Sequence, residues 1–418
     1  MRIKYFMQPK YIKFNIKFAL LAVLIGLISV FFVKVVELAF KCFLWLEPQL
    51  GWWIILYVPM MMIGIIFLLK RYFPEAEGSG LPQVIAIGKM SEDKINHFFQ
   101  IRAIFSKILL ITLGTLSGGT LGREGATVQI GASIMNQLGR NLSIQRRKTM
   151  LIVGAASGLA SAFNTPLGGI VFAFEELIKT SGMRFSLFKI TGIAISGIVS
   201  VTLLSNYSYF GRVDRNLMFY TDKIFISALV IGLVAALFSI GFSRVVRLLM
   251  LDKSPLVAWR KNNPYKNAIY SGIIVALVGV LSHGLSFGNG YHESRMALNN
   301  QIVLPSSYVF YKMISAIFTT NSAIPGGYFA TALAIGNGIG SLVHQFIDFG
   351  NLQQYYLLGM VAFLAALTRA PATAIVMVIQ VSATQVFTLP LITAALTATL
   401  IANAFDKGIY EYQIEKLV

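Results

Sequence analysis

The stretch "GGTLGREGATVQIGAS", residues 118–133, places an arginine and a glutamate between glycines in a mostly apolar chain. Gly122 and Gly125 flank the pair Arg123 and Glu124. Neither glycine carries a Cβ that would hinder movement of the glutamate or the approach of a ligand to the backbone. The pattern predicts an interrupted helix with a movable carboxylate at the break.

The composition around this stretch is that of a membrane protein. The chain has 418 residues, of which 56% are hydrophobic and only 12% charged, and its mean hydropathy is +0.71. A soluble domain usually carries about 25% charged residues. Several uncharged runs reach the roughly 17–25 residues that a helix needs to cross a bilayer: 52–69, 151–174, 224–243 and 370–405. A polytopic, all-α membrane protein is predicted.

The charges that remain indicate orientation rather than a nucleic-acid partner. Residues 1–17 hold five Lys/Arg and no acid, which by the positive-inside bias places the N-terminus in the cytoplasm. Residues 18–33 run into Lys34 and Glu37 without a cleavage site, so they predict a first membrane helix rather than a signal peptide. The net charge of +18 gathers in short links, as expected for contact with anionic lipid headgroups. Cys42, the only cysteine, excludes disulfides and thiolate metal clusters.

Many apolar segments are broken by Gly or Pro before they could span a bilayer. The breaks are "GSGLP" at 78–82, "GREG" at 122–125, "NTPLGG" at 164–169, "IPGGYF" at 324–329 and "TRAP" at 368–371. Broken helices at membrane depth are tolerated only where protein or a wet cavity surrounds them. The breaks therefore favour a transporter or channel.

An internal repeat divides the chain. "GGTLGRE" (118–124) is matched with "GGYFATA" (326–332), "IGASI" (130–134) with "IGNGI" (335–339), and "AFNTPLGGIVFAFE" (162–175) with "ALTRAPATAIVMVIQ" (366–380). The offset is about 205 residues, and the expected halves are 18–205 and 220–410. Interrupted helices at matching places in two halves predict a binding site at their interface.

Three of the breaks have the chemistry of an anion path. "GSGLP", "GREGA" and "GGYFAT" can each start a helix whose first N–H groups lack partners, and these groups and the helix dipole favour an anion. Ser79 adds a hydroxyl donor, and partial charges release an ion more readily than full charges do. The backbone expected to line the path is that of Gly78, Gly80, Leu81, Pro82, Gly122, Arg123, Gly125, Ala126 and Gly327.

Taken in order, these motifs resemble the CLC family of chloride channels and proton-coupled chloride transporters. The match runs from Gly78 to Tyr410 and includes "GSGLP", "GREGA", "AFNTPLGGIVFAFEEL", "SAIPGGYFA", "LTRAPATAIVMVIQ" and "DKGIYEYQIEKL". The resemblance implies tilted, broken helices in two inverted-topology repeats, and a homodimer with one pore per subunit. It also implies a multi-pass protein of the cell membrane, most simply a bacterial inner membrane, with both termini cytoplasmic and no cytoplasmic regulatory domain.

The same resemblance implies roles for individual residues. Ser79 and Tyr410 would donate hydroxyls to a central chloride, and the N–H groups of Tyr328 and Phe329 would complete that site. Glu124 would be the gate and the external proton carrier. Ionised, it is expected to occupy an anion position near its own helix start; protonated, it would move aside. Arg123 is expected to pair with an acid or a carbonyl.

The adjacent acids Glu175 and Glu176 end an apolar stretch. From the residues alone they could be a solvated helix end, whereas the resemblance to the motif "FEEL" makes Glu176 the internal proton acceptor. Relatives that work as passive channels generally lack an acid there, so its presence favours chloride/proton antiport. Chloride ions, protons and the bilayer are the expected partners, and no cofactor or metal is implied.

Four positions depart from the family pattern. Ala126 and Thr331 stand where the family usually has Pro, and Gln83 and Gln380 where it often has Glu. Losing Pro from a first helical turn adds an N–H donor, which bears on anion selectivity. A passive, voltage- or pH-gated chloride channel and a fluoride/proton exchanger therefore remain alternatives, although Ser79 matches the chloride-preferring pattern.

An intramembrane enzyme is the alternative from another class. The four histidines show no HExxH or other ligand spacing, and there is no GxSxG elbow. His292 and Glu293 are adjacent in "GYHESR", which is typical of a polar loop. The sequence predicts a protein that is not an enzyme.

Overall fold

The computed structural model describes residues 9–178, 187–204, 210, 213–214, 218–250 and 254–417. Within those ranges the regular structure is helical, apart from an isolated antiparallel bridge between Gly122 and Gly327. Residues 1–8, with part of the basic N-terminal segment, and residue 205, the expected end of the first half, lie outside the described residues.

The helices of the first part of the chain surround the quoted stretch. They are α1 (Pro9–Leu50), α2 (Ile54–Tyr72), α3 (Leu81–Ile85), α4 (Glu92–Phe98), α5 (Ile101–Leu116), α6 (Glu124–Gly139), α7 (Ile144–Ala162), α8 (Pro166–Phe172) and α9 (Leu187–Leu203). A π-helical turn, Ala173–Ile178, continues directly from α8. Short 3₁₀ turns cover Gly51–Trp53, Pro74–Ala76 and Ala86–Gly88.

The second part has a corresponding set of helices. They are α10 (Ile224–Met250), α11 (Pro255–Asn262), α12 (Pro264–Leu281), α13 (Tyr291–Leu298), α14 (Tyr308–Asn321), α15 (Phe329–His344), α16 (Leu352–Thr368), α17 (Pro371–Ser382), α18 (Thr388–Phe405) and α19 (Ile409–Leu417). A 3₁₀ turn, Gln385–Phe387, precedes α18.

The membrane-spanning material is of two kinds. Among the described residues, four helical runs are long and apolar enough to cross a membrane: Ile12–Tyr72, Ile224–Met250, Pro264–Leu281 and Gln385–Phe405. The pair α4 and α5, bent by 48°, adds a fifth if it counts as one span. Shorter apolar helices fill the interior, and the uncharged runs 151–174 and 370–405 are each split into two helices.

The two parts repeat with a constant offset. Helix α6 begins at Glu124 and α15 at Phe329, while α8 begins at Pro166 and α17 at Pro371, so each pair is 205 residues apart. The pairing of "GGTLGRE" with "GGYFATA" is therefore three residues out of register, because it sets Ala330 opposite Gly122. The counterpart of Gly122 is instead Gly327, and these two glycines form the bridge.

Glycine contacts at equivalent places hold the repeated helices close together. A Cβ on Gly131 of α6 would lie 2.1 Å from the carbonyl oxygen of Gly154 in α7. In the second half, a Cβ on Gly336 of α15 would lie 2.4 Å from the carbonyl oxygen of Gly359 in α16. Small residues let membrane helices approach at the backbone. The close packing holds α6 against α7 and α15 against α16, and the starts of α6 and α15 define the candidate site.

Candidate functional site

The starts of three helices meet at the centre of the protein. Gly122 N–H donates to the Gly327 carbonyl at 2.8 Å, and Gly327 N–H donates back to the Gly122 carbonyl at 2.9 Å. A Cβ on Gly80 would lie 2.4 Å from the Gly125 carbonyl oxygen, and one on Gly125 would lie 2.6 Å from the Ser79 carbonyl oxygen. The breaks "GSGLP", "GREGA" and "GGYFAT" therefore converge, as the sequence predicts.

The Glu124 carboxylate lies at the start of the opposite half's helix. Its side chain is completely buried, and its Oε2 accepts from the Ala330 N–H in the first turn of α15, at 3.4 Å. The sequence predicts an anion position near the start of its own helix, α6; the carboxylate does stay beside Gly122, but this donor comes from across the bridge. The backbone at Gly122 permits the arrangement, since a Cβ there would lie 2.4 Å from Oε2. Glycine leaves room for this rotamer.

Donors surround the same place. Tyr328 and Phe329, the residues before and at the start of α15, are buried, and neither N–H donates to an acceptor in the described part of the protein. The buried Ser79 hydroxyl has no hydrogen-bond partner there either. Unpaired buried donors are costly, so their concentration at one point indicates a ligand position.

Tyr410 completes the group. It is buried near the start of α19, which packs against α3, the helix that follows Ser79. Its hydroxyl is close enough to Tyr328, Glu176 and Glu124 to interact with them electrostatically. Tyr410 thus interacts with both of the glutamates that the sequence assigns to the ends of a proton path.

A cavity of about 300 Å³ leads to this centre from one direction. It is lined by Gly78, Ser79, Pro82 and Tyr328, and its outer wall contains Arg260, Glu77, Gln413 and Lys416. Lys416 lies in the quoted motif "DKGIYEYQIEKL", whereas Arg260 belongs to none of the quoted motifs, so its place in the cavity wall could not be deduced from the chain order. Positive side chains in the wall of a cavity attract anions to it.

A second cavity, of about 190 Å³, is lined by Arg123, the residue before Glu124. Lys41, Arg123, His292 and Arg295 line it together with Glu37. The two cavities share no lining residue: the first is lined by Ser79 and Tyr328, and the second by Arg123. The Arg123 guanidinium pairs with the Glu37 carboxylate at 3.6 Å and donates to the Val33 carbonyl at 3.2 Å, which is the structural pairing expected for it.

The adjacent acids of the "FEEL" motif differ in their contacts. The Glu175 carboxylate accepts from the N–H groups of Ala372 and Thr373 at the start of α17, at 2.9 Å and 2.6 Å. Glu176 is half-buried on the same π-helical turn. The sequence singled out Glu176 but gave no sign that its neighbour holds a helix of the other half.

The four departures from the family pattern also have definite places. Gln83 accepts from the Gly80 N–H at 3.0 Å and donates to the Glu77 carbonyl at 2.9 Å, a pair of bonds that a carboxylate could not make. Gln380 accepts from the Gly168 N–H at 2.8 Å. Ala126 and Thr331 are buried in the first turns of α6 and α15, beside the convergent starts.

This arrangement, with helix N-termini converging on a buried acid and polar cavities lined by Ser79 and by Arg123, defines a membrane protein of the ion-transporting class. The chain belongs to the voltage gated chloride channel family, whose model matches residues 60–403.

Among curated proteins, the H(+)/Cl(-) exchange transporter ClcA of Yersinia pestis bv. Antiqua (strain Angola) is 30% identical over 367 residues. That alignment covers 82% of this chain and 73% of the relative. The transporter of the same name from Yersinia pseudotuberculosis serotype O:3 (strain YPIII) gives the same identity and coverage. The predicted family is confirmed.

Solved structures confirm the fold. A slow cyanobacterial Cl⁻/H⁺ antiporter superposes with a TM-score of 0.81 at 20% identity, covering 98% of both chains. A CLC-type fluoride/proton antiporter gives 0.80 at 21% identity, covering 97% of this chain and 99% of the other. A eukaryotic CLC transporter gives 0.74 at 22% identity, covering 96% and 74%. The chain therefore has the CLC fold of tilted, broken helices in two inverted repeats.

Proposed function

We propose that this protein exchanges chloride for protons across the membrane, with Glu124 as the moving gate. One observation carries the proposal: the Glu124 carboxylate accepts from an N–H at the start of α15, where an anion would be held. A carboxylate and a chloride carry the same charge and compete for the same donors. The names of the relatives, H(+)/Cl(-) exchange transporters, support this choice of ions.

Chloride enters through the cavity lined by Ser79. Arg260 and Lys416 attract it, and the hydroxyls of Ser79 and Tyr410 then donate to it together with the N–H groups of Tyr328 and Phe329. These neutral donors and the helix dipoles hold an anion by partial charges, so that it can also leave. The backbone around Gly78, Gly125 and Gly327 lets the ion approach closely because no Cβ intervenes.

The next step occurs at Glu124. Protonation removes its negative charge and with it the attraction to the α15 start, so the side chain swings away and chloride takes its place. When chloride departs, the carboxylate loses its proton and returns. The ionised carboxylate and chloride cannot occupy the position together, so the position alternates between them. A proton that reaches Glu124 from outside and leaves toward Glu176 moves in the opposite direction to chloride that passes outward.

Glu176 receives protons at the inner end of this path. It lies on the turn after α8, it is partly exposed, and the Tyr410 hydroxyl is within electrostatic reach of both glutamates. In this proposal the proton leaves the anion route at Glu176, which does not line the cavity through which chloride enters. This separation allows chloride to pass without displacing the internal acid.

The assembly and orientation belong to the same proposal. The protein works as a homodimer in a cell membrane, with lipid around it and both termini in the cytoplasm. The cavity lined by Lys416 near the chain end then faces the cytoplasm, and the cavity lined by Arg123 faces outward. The halves 18–205 and 220–410 are the two repeats that contribute to each pore.

The test uses sealed proteoliposomes. A chloride gradient alone should drive protons against their own gradient if the protein is an antiporter. Passive chloride movement without proton uptake would instead identify a channel. Repeating the assay with a fluoride gradient distinguishes the third possibility, since a fluoride/proton exchanger would move protons with fluoride and hardly at all with chloride.

A further inference from the structure

Two side chains tie the halves of the protein to each other, each at the other half's helix start. Glu175 Oε2 accepts from Thr373 N–H at 2.6 Å, and Gln380 Oε1 accepts from Gly168 N–H at 2.8 Å. The acceptors are 205 residues apart, and so are the donors. The contact is therefore made twice by the pseudosymmetry of the fold, once in each direction.

Both recipients are helix N-termini with proline in the first position. Pro166 begins α8 and Pro371 begins α17. The first N–H groups of a helix have no intrahelical acceptor, and they favour negative charge. A side chain from the opposite half supplies the missing acceptor in each case. Because α8 and α17 pack against each other, the two caps fix how these helices sit side by side.

The two caps are not chemically equal. A carboxylate offers two acceptor atoms, whereas an amide offers one. Glu175 accordingly takes a second bond, from Ala372 N–H at 2.9 Å, which Gln380 cannot reproduce. The stronger cap comes from the first half, on the π-helical turn that carries Glu176.

We propose that Glu175 is a positioning residue for proton transfer, holding the turn Ala173–Ile178 so that Glu176 faces the proton path. The inference rests on the proposed function, in which Glu176 accepts the proton. A π-helical turn holds one more residue than an α-helical turn, and such turns are frequent at functional sites. Without its anchor, the turn can relax toward α-helix, which rotates the next side chain, Glu176, away from its direction.

The geometry also explains why two acids stand together. Both Glu175 oxygens accept backbone N–H groups at the start of α17, so both are engaged in holding the turn. Glu175 therefore stays a fixed acceptor while Glu176 takes and passes protons. The Glu175 carboxylate holds the turn, and the Glu176 carboxylate accepts and releases the proton.

The test compares three variants in proteoliposomes, measuring chloride and proton fluxes together. Glu175→Ala removes both hydrogen bonds of the Glu175 cap and should lower the number of protons moved per chloride by at least about tenfold, because a misplaced reacting group loses rate steeply. Its chloride flux should stay close to the wild-type value. Gln380→Ala is the matched control: it removes the counterpart cap at the far end of α8 but leaves both bonds that hold the turn Ala173–Ile178 to α17, and should leave the ratio unchanged.

Glu175→Gln provides a milder test that preserves shape. Its amide oxygen can keep one of the two hydrogen bonds, but its NH₂ group cannot accept the other. The number of protons moved per chloride should therefore lie between the values for wild type and Glu175→Ala. If Glu175→Ala does not fold, this variant decides. A wild-type ratio in every folded Glu175 variant would overturn the proposal, as would an equal loss of both fluxes in Glu175→Ala and Gln380→Ala.

The proposed function is tested separately. Glu176→Gln should abolish proton movement whatever the Glu175 variants do. If it does not, the assignment of Glu176 fails. If it does and the Glu175 variants keep the wild-type ratio, only the positioning role fails.

Discussion

Replacing Glu124 by Gln tests the gate most directly. The change keeps the shape of the side chain and removes the charge that draws it to the start of α15. A hydrogen bond to an ionised group contributes about 1.5–3 kcal/mol. The observed N···O distance of 3.4 Å is long for such a bond, which favours the lower figure, about 1.5 kcal/mol. That energy corresponds to about a tenfold shift toward the open state.

The assay measures chloride flux from liposomes at about pH 4.5, near the reference value of a glutamate, and at about pH 7.5. Wild type should be faster at the lower pH, because protonation opens the gate. Glu124→Gln should be equally fast at both values and should move no protons. Glu47→Gln, which neutralises an acid of α1 away from the three helix starts, should behave like wild type. If Glu124→Gln keeps both the pH dependence and the proton coupling, Glu124 is a structural charge and the gate lies elsewhere.

Three further changes probe other parts of the site and fold. Tyr410→Ala and Ser79→Ala should each weaken halide binding in calorimetry by about 1.5–3 kcal/mol, the value of a hydrogen bond to a charged group; unchanged affinity in both would contradict a shared anion site. Glu176→Gln should stop proton movement while chloride flux continues, and uphill proton transport at the wild-type rate would make it a solvated acid. Gly131→Ala places a Cβ 2.1 Å from a carbonyl oxygen and should lower the free energy of unfolding by about 1–3 kcal/mol, measured by thermal unfolding. Gly64→Ala, where a Cβ would have nothing within 4 Å, should leave it unchanged. Equal stabilities of the two variants would contradict the close packing of α6 and α7.

Sequence reasoning located the convergent helix starts because glycine and proline mark breaks wherever they occur in an apolar segment. A Cβ on Gly80 or on Gly327 would lie within a few ångströms of the Gly125 backbone, so the three helix starts are close together. It did not identify the Ala330 N–H as a donor to the Glu124 carboxylate, because that donor lies about 205 residues away at the start of α15. The direction of a side chain is decided by what packs against it, and that information is not local.

The repeat shows the same limit in another form. Equal spacings from glycine to proline gave the correct offset, but the doublets at 118–119 and 326–327 suggested a register three residues away from the true one. The two glycine doublets lie at different distances before the starts of α6 and α15, so they do not identify the residue at which each helix begins. The distinct contacts of Glu175 and Glu176 were hidden for a related reason: adjacent acids look alike until the N–H groups of α17 are placed beside one of them.

The reciprocal hydrogen bonds between Gly122 and Gly327 restrict how the two halves can move relative to each other. They join the two halves at the point where ions cross, and any rigid separation of the halves would have to break both bonds at 2.8 and 2.9 Å. Many transporters expose their site by rocking one repeat against the other. Here the two bonds oppose such rocking, and in the proposed cycle the moving part is the Glu124 side chain, which travels over a few ångströms. A side-chain movement of this size hardly displaces the surrounding bilayer, and the rate of transport should therefore be insensitive to membrane thickness.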